Sequence, residues 1–220
     1  MKKIAVVLSG CGYLDGAEIR ESVLTLLALD TEQVTYSIFA PDQQQHHTVN
    51  HFTQDVNALE SRNVLQEASR IARGKILPLT ELDSTLFDAL IIPGGFGVAK
   101  NLSNFAFHGA DGQVNTHMVE ILKSFQSSKK PIGAICIAPV LLALVFGHLN
   151  PKITLGSAVN IAQEIEKTGA IHQVCETVSC VADEEQLFVT TPAYMDDEAN
   201  LTDVFQGIHL LVKNVLSLVS

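Results

Sequence analysis

Short apolar runs alternate along the chain with stretches whose apolar residues recur every three or four positions. Lys3–Leu8 carries five consecutive apolar residues, the pattern of a strand buried on both faces. Asp15 and Glu18 form an Asp-x-x-Glu box that predicts a helix starting near Asp15 or Gly16, with Ile19, Val23, Leu26 and Leu27 as its apolar face. Val34–Ala40 reads as a strand stopped by Pro41, and Val64, Leu65, Ala68, Ile71 and Ala72 mark one helical face ending at Gly74. Asp88–Ile92 and Ile132–Ile135 are further buried strands. Helices are predicted over about 114–127, 138–146, 162–168 and 198–219, with a short strand at Lys152–Leu155. Val174–Ala182 and Leu187–Thr191 suggest a β-hairpin. This order predicts an α/β fold: a mostly parallel sheet with helices on both faces, plus the small hairpin, in one domain over residues 1–220.

Composition narrows the class. Of 220 residues, 47% are hydrophobic and 17% charged, which excludes a disordered polymer. Fourteen Lys and Arg against 24 Asp and Glu leave a formal charge of −10, the wrong sign for gripping DNA or RNA phosphates, so no nucleic-acid partner is expected. Ile4–Leu8 is shorter than the roughly 7–15 apolar residues of a signal peptide. Pro131–Pro151 has no charge, but Pro139, Gly147 and Asn150 interrupt it, so a strand, a turn and a buried helix are expected there and not a membrane span. The four cysteines, Cys11, Cys136, Cys175 and Cys180, make no Cys-x-x-Cys pair, and no His pair has zinc-finger spacing. We therefore expect no metal site, and reduced thiols in the cytoplasm.

In a parallel sheet, ligands gather beyond the carboxyl ends of the strands, where Ser9–Gly12, Pro93–Gly97 and Gly133–Pro139 are expected to fall. The first lacks the third glycine of a dinucleotide fingerprint, since position 15 is Asp15, and Gly74-Lys75-Ile76 lacks the hydroxyl of a phosphate-binding loop. Pro93-Gly94-Gly95-Phe96-Gly97 is either a tight turn needing positive φ or a loop with a backbone N–H free for an oxyanion. Cys136 stands between a strand and Ala138-Pro139, and proline suits a first helical turn. Such a corner presents a nucleophile outward, and the helix start is expected to lower the thiol pKa toward the thiolate. The N–H groups of Gly95 and Ile137 would then form an oxyanion hole; the alternative is a buried, inert cysteine. Gly94, Cys11, Glu18, Asn101 and Tyr194 are expected to line the site, Tyr194 with its hydroxyl. The irregularly spaced His46, His47 and His51 are expected at the surface.

Pro93-Gly94-Gly95-Phe96-Gly97 followed by Ala134-Ile135-Cys136-Ile137-Ala138-Pro139 resembles the class I glutamine-amidotransferase-like superfamily. More narrowly, Leu8–Gly12, Asp15–Glu18, Arg62–Leu65, Ala99–Ser103 and Thr190–Met195 resemble the enhancing-lycopene-biosynthesis (ElbB) family, related to the PfpI protease and the Parkinson-associated deglycases. The resemblance implies a flavodoxin-like sandwich, a homodimer, and a carboxyl on the first helix that hydrogen-bonds the nucleophilic cysteine. Glu21 is the matching position and Glu18 the near alternative. The chain departs from its relatives in histidine. The amidotransferase His-x-Glu is absent, Ile137 stands where PfpI-type proteins place histidine, and Gly156 where the deglycases do. Peptide cleavage needs a protonated leaving group, but addition to an aldehyde does not. The expectation is therefore a cofactor-free glyoxalase acting on a small aldehyde or dicarbonyl, with glyoxal going to glycolate. The alternative is a non-catalytic redox- or carbonyl-sensing interaction protein, with a link to isoprenoid biosynthesis implied by the family name.

Overall fold

The structure, a computed structural model, describes residues 2–219. Its strands are β1 (Lys3–Val7), β2 (Thr35–Ala40), β3 (Leu77–Pro78), β4 (Ala89–Ile92), β5 (Ile132–Ile135), β6 (Lys152–Ile153), β7 (Ile171–His172), β8 (Val181–Asp183) and β9 (Phe188–Thr191). Its α-helices are α1 (Ile19–Thr31), α2 (Val64–Ile71), α3 (Phe105–His108), α4 (Thr116–Ser127), α5 (Pro139–Phe146), α6 (Val159–Glu166) and α7 (Leu201–Leu218). The main sheet runs β3-β2-β1-β4-β5-β9-β8, parallel except for the β8–β9 hairpin. This is the expected flavodoxin-like arrangement. The hairpin is shorter than predicted, because residues 174–180 are irregular and pairing starts only at Val181. β6 falls within the short strand expected at Lys152–Leu155, but its parallel partner β7 was not foreseen, since a two-residue strand carries no periodicity.

The central strands are apolar throughout because both faces are covered: every residue of β4, β5 and β9 is buried. Truncating one of them, as in Ile91→Ala, should cost about 2–5 kcal/mol. Register aligns Ile92 with Ala134 and Ile135 with Thr191, so the loops after β4, β5 and β9 leave the sheet side by side. The sheet order reverses direction between β1 and β4, the switch point at which such folds bind ligands. Among the described residues, no helix is long and apolar enough to cross a membrane.

Helix α1 differs from its predicted form in two respects. It starts at Ile19 with Glu18 as N-cap, the Glu18 carboxylate accepting the Glu21 N–H at 2.6 Å. Asp15 lies outside the helix, buried, where its carboxylate accepts the Val49 N–H at 2.6 Å and fastens the segment between β2 and α2. The helix also presents the opposite face to the core. Ile19, Val23 and Leu27 are 45–49% exposed, while Glu21, Ser22 and Thr25 are buried beside Leu24, Ala28 and Leu29. Burying the two hydroxyls is tolerated because each bonds back one turn, Ser22 Oγ to the Glu18 carbonyl at 2.6 Å and Thr25 Oγ1 to the Glu21 carbonyl at 2.7 Å. This rotation points Glu21 at the loops after β4 and β5.

Candidate active site

Cys136 follows β5 in the left-handed region, φ 59°, which strains a side-chain-bearing residue. The strain is held by the Cys136 N–H donating to the Thr191 carbonyl at 2.9 Å, and by Ala138 N–H closing a turn on Ile135 at 2.9 Å. Pro139 then opens α5. The corner is therefore that of an outward-facing nucleophile. Cys136 is 7% exposed, and the backbone N–H groups of Gly95 and Ile137 lie near enough to its sulfur to favour the thiolate.

The loop after β4 lies directly against this corner, and only glycine fits there. A Cβ on Gly94 would lie 2.5 Å from Cys136 Cβ and 2.6 Å from Glu21 Oε2. Gly95 has φ 97°, and a Cβ on it would meet Glu18 N at 2.4 Å. Gly94 fixes the first helix twice, its carbonyl accepting Glu18 N–H at 2.9 Å and its N–H donating to Glu21 Oε2 at 2.9 Å. The other carboxyl oxygen of Glu21 accepts the Tyr194 N–H at 3.2 Å.

Glu21 has no solvent exposure and lies beside Cys136, with Gly94 between them. Burial and, second, the nearby Glu18 charge push its pKa up to about 8. The Cys136 thiol is also pushed well above its ordinary range, by burial first and then by the Glu21 charge. This corrects the expected thiolate. The Gly95 and Ile137 amides pull the thiol down, but they do not offset removal from water beside a carboxyl. Both shifts favour the protonated forms of the pair.

Cys136 opens onto a pocket of about 900 Å³. Gly95, Ile137, Glu18 and Tyr194 line it; Gly94 lies behind Gly95, against Cys136 and Glu21, and does not. Cys11 and Asn101 do not. Cys11 lies near Glu67 and Arg70, and Asn101 is a structural clamp whose side-chain amide donates to the carbonyls of Ser9 at 3.0 Å and Asp15 at 2.9 Å. Cys11 follows Gly10 and Asn101 lies in the helical turn Val98–Leu102, both after strands of the sheet, but neither lines the pocket at Cys136. Tyr194 contributes differently from expectation: its backbone N–H holds Glu21, while its hydroxyl accepts Arg20 Nη1 at 3.2 Å. Sequence reasoning missed Arg20, Tyr13 and Phe96 in the pocket wall. Phe96 was inside a recognised motif, and Arg20 immediately precedes Glu21, so proximity to a candidate residue was the available signal. His51 is tied in more than expected, edge-on to Tyr13 with ring centroids 5.5 Å apart.

Residues 15–203 match the model of the DJ-1/PfpI family. The chain is 43% identical over 223 aligned residues to the ES1 protein homolog, mitochondrial, of Rattus norvegicus, covering 98% of this chain and 84% of that one. It is 44% identical to the mitochondrial glutamine amidotransferase-like class 1 domain-containing protein 3 of Homo sapiens, covering 98% of this chain and 83% of that one. Among solved structures, it is similar to an isoprenoid biosynthesis protein with amidotransferase-like domain from Ehrlichia chaffeensis, with TM-score 0.93, 37% identity and full coverage of both chains. With the elbow cysteine, the glycine loop and the buried helix carboxyl in this arrangement, the chain belongs to the DJ-1/PfpI family and has its class I glutamine amidotransferase-like fold.

Proposed function

We propose that this site is a cofactor-independent glyoxalase, converting glyoxal or a small dicarbonyl like it to glycolate. The observation that carries the reading is the fully buried Glu21 carboxyl beside Cys136, raised to a pKa of about 8. A carboxyl so tuned gains and loses a proton near neutral pH beside a nucleophile. In its ionised form Glu21 takes the Cys136 proton as sulfur adds to one aldehyde carbon. The oxyanion of the adduct is stabilised by the Gly95 and Ile137 N–H groups and is protonated to a hemithioacetal. Glu21 then removes the hydrogen on that carbon as a proton and returns a proton to the second carbon. One carbon is oxidised and its neighbour reduced, so no external oxidant is consumed. The resulting glycolyl thioester is hydrolysed by water, which releases glycolate and restores the thiol. No step needs a histidine to protonate an amine.

Within the family, we assign the chain to the enhancing-lycopene-biosynthesis group. The Ehrlichia neighbour, described as an isoprenoid biosynthesis protein, supports this. The exposed stripe Ile19, Val23 and Leu27 supports a homodimer through α1, and four free cysteines support a reducing, cytoplasmic setting. The sensing alternative finds less support, because a sensor cysteine needs no proton shuttle and Glu21 supplies a buried carboxyl of raised pKa beside Cys136. The test is incubation of the pure protein with glyoxal in the absence of glutathione. Glycolate should accumulate with the native protein and not with Cys136→Ala. Equal traces from both would end the reading.

A further inference from the structure

Strand β2 leaves part of its outer edge unpaired beside a groove, away from Cys136. Thr35 N–H donates to the Lys2 carbonyl at 3.2 Å, and the Phe39 carbonyl accepts Leu8 N–H at 2.8 Å. Odd-numbered residues of β2 thus turn their backbone groups toward β1, and Tyr36 and Ile38 turn theirs outward. β3 runs beside it only from Phe39 on, where the Phe39–Leu77 bridge takes the Ile38 carbonyl and the Ala40 N–H, so the Tyr36 N–H and carbonyl and the Ile38 N–H are left unpaired. Below it, Arg73 and Gly74, with φ 52° and 77°, swing the chain away from the sheet. The resulting groove measures about 790 Å³, with Leu26, Ile38, Ile71, Ile76 and Leu77 among its walls and Tyr36 at the free edge.

The charges on the rim select the occupant. Arg73 and Lys75 are exposed and, among the described residues, form no ion pair, in a chain whose formal charge is −10. Asp30, near the Tyr36 hydroxyl, is the acidic group on the α1 side. Cations alone are a common guard for a bare strand edge. Here they accompany an apolar floor and outward backbone donors, the two elements by which an added strand is recognised. We propose that this edge binds an extended, acidic peptide segment of a partner protein. The peptide would pair with Tyr36 and Ile38, seat alternate apolar side chains in the groove and place carboxylates against Arg73 and Lys75. The free groups, on Tyr36 and Ile38, lie about 7 Å apart at roughly 3.3 Å per residue, which suits a short segment.

The proposal does not depend on the chemistry at Cys136, and its test does not use turnover. The probe is a fluorescein-labelled hexapeptide, Glu-Val-Thr-Val-Asp-Val, compared with Lys-Val-Thr-Val-Lys-Val and with the acidic peptide N-methylated at its central amides. Fluorescence anisotropy should give at least tenfold tighter binding of the acidic peptide than of either control. The double variant Arg73→Glu/Lys75→Glu should erase that preference. Amide hydrogen exchange at Tyr36 and Ile38, fast in the free protein, should slow by at least tenfold with the acidic peptide. Equal binding of the three probes, or binding that leaves those two amides unprotected, would overturn the proposal. So would protection that grows with protein concentration alone, since a second copy of this chain would then be the occupant.

Discussion

Two cysteines leave the carboxyl ends of strands in glycine-bearing loops, and each has a buried carboxylate nearby. After β5, Cys136 meets Glu21; after β1, Cys11 lies near Asp15. The ingredients match, but the arrangements do not. Glu21 lies beside Cys136 across Gly94 and receives two backbone N–H groups, whereas Asp15 spends one oxygen on Val49 N–H and leaves the other without a hydrogen bond. Cys136 is strained to φ 59° against a pocket, whereas Cys11 lies near Glu67 and Arg70 and lines no part of that pocket. A cysteine beside an acid becomes a reactive pair only when backbone strain aims the sulfur and the acid faces it. The other pair secures loops.

The sharpest way to break this comparison is to exchange the cysteines for alanine. Cys136→Ala should lower glyoxal turnover by about a thousandfold or more, the scale of losing a nucleophile. Cys11→Ala should leave it within about twofold. Comparable losses from both, measured as glycolate formation, would show that the β1 loop belongs to the chemistry.

The carboxylates should separate next. Glu21→Gln should reduce turnover by about 10²–10³-fold, within the range for a lost proton-transfer group. Asp15→Ala should leave turnover near normal but cost about 1–3 kcal/mol in urea unfolding, because Val49 N–H loses its acceptor. Faster exchange of the Val49 amide would locate that loss.

Titration sharpens the difference further. The folded pKa of Glu21, about 8, lies above its ordinary value of 4.5, so the native chain holds an extra proton between those values. This contribution to stability is complete below about pH 4.5 and is lost as pH rises through about 8. Between pH 5 and 8 the urea midpoint of the native protein should therefore fall more than that of Glu21→Gln. Activity should run the other way. The ionised carboxyl is the base, so kcat/KM should rise with pH through an apparent pKa near 8 that belongs to the Cys136–Glu21 pair.

The smallest effect concerns Glu18. Gln keeps an oxygen for the Glu21 N–H, so Glu18→Gln should cost less than about 1 kcal/mol of stability. Removing its charge should also move the activity midpoint downward, since that charge helps to raise Glu21. An unchanged midpoint would show that burial alone sets the Glu21 value.

The sequence by itself determined the α/β class, the strand–turn–helix corner at Cys136 and the glycine loop after β4. These are local patterns: runs of apolar residues, a proline at a first turn, paired glycines where no side chain fits. The Asp15–Glu18 box misled because the same spacing serves a cap at Asp15 or a cap at Glu18, and only the contact with Val49, from a distant segment, assigns Asp15 elsewhere. The face of α1 was also beyond reach. Ile19, Val23 and Leu27 form the more apolar stripe, yet packing against α7 and the sheet buries Glu21, Ser22 and Thr25 instead, with both hydroxyls satisfied within the helix. The rise of the Cys136 and Glu21 pKa values was decided only in three dimensions. Helix position and charge spacing can be read along a chain, but desolvation depends on how closely β4, β5, β9 and α1 enclose the two groups together, and only the tertiary structure fixes that enclosure.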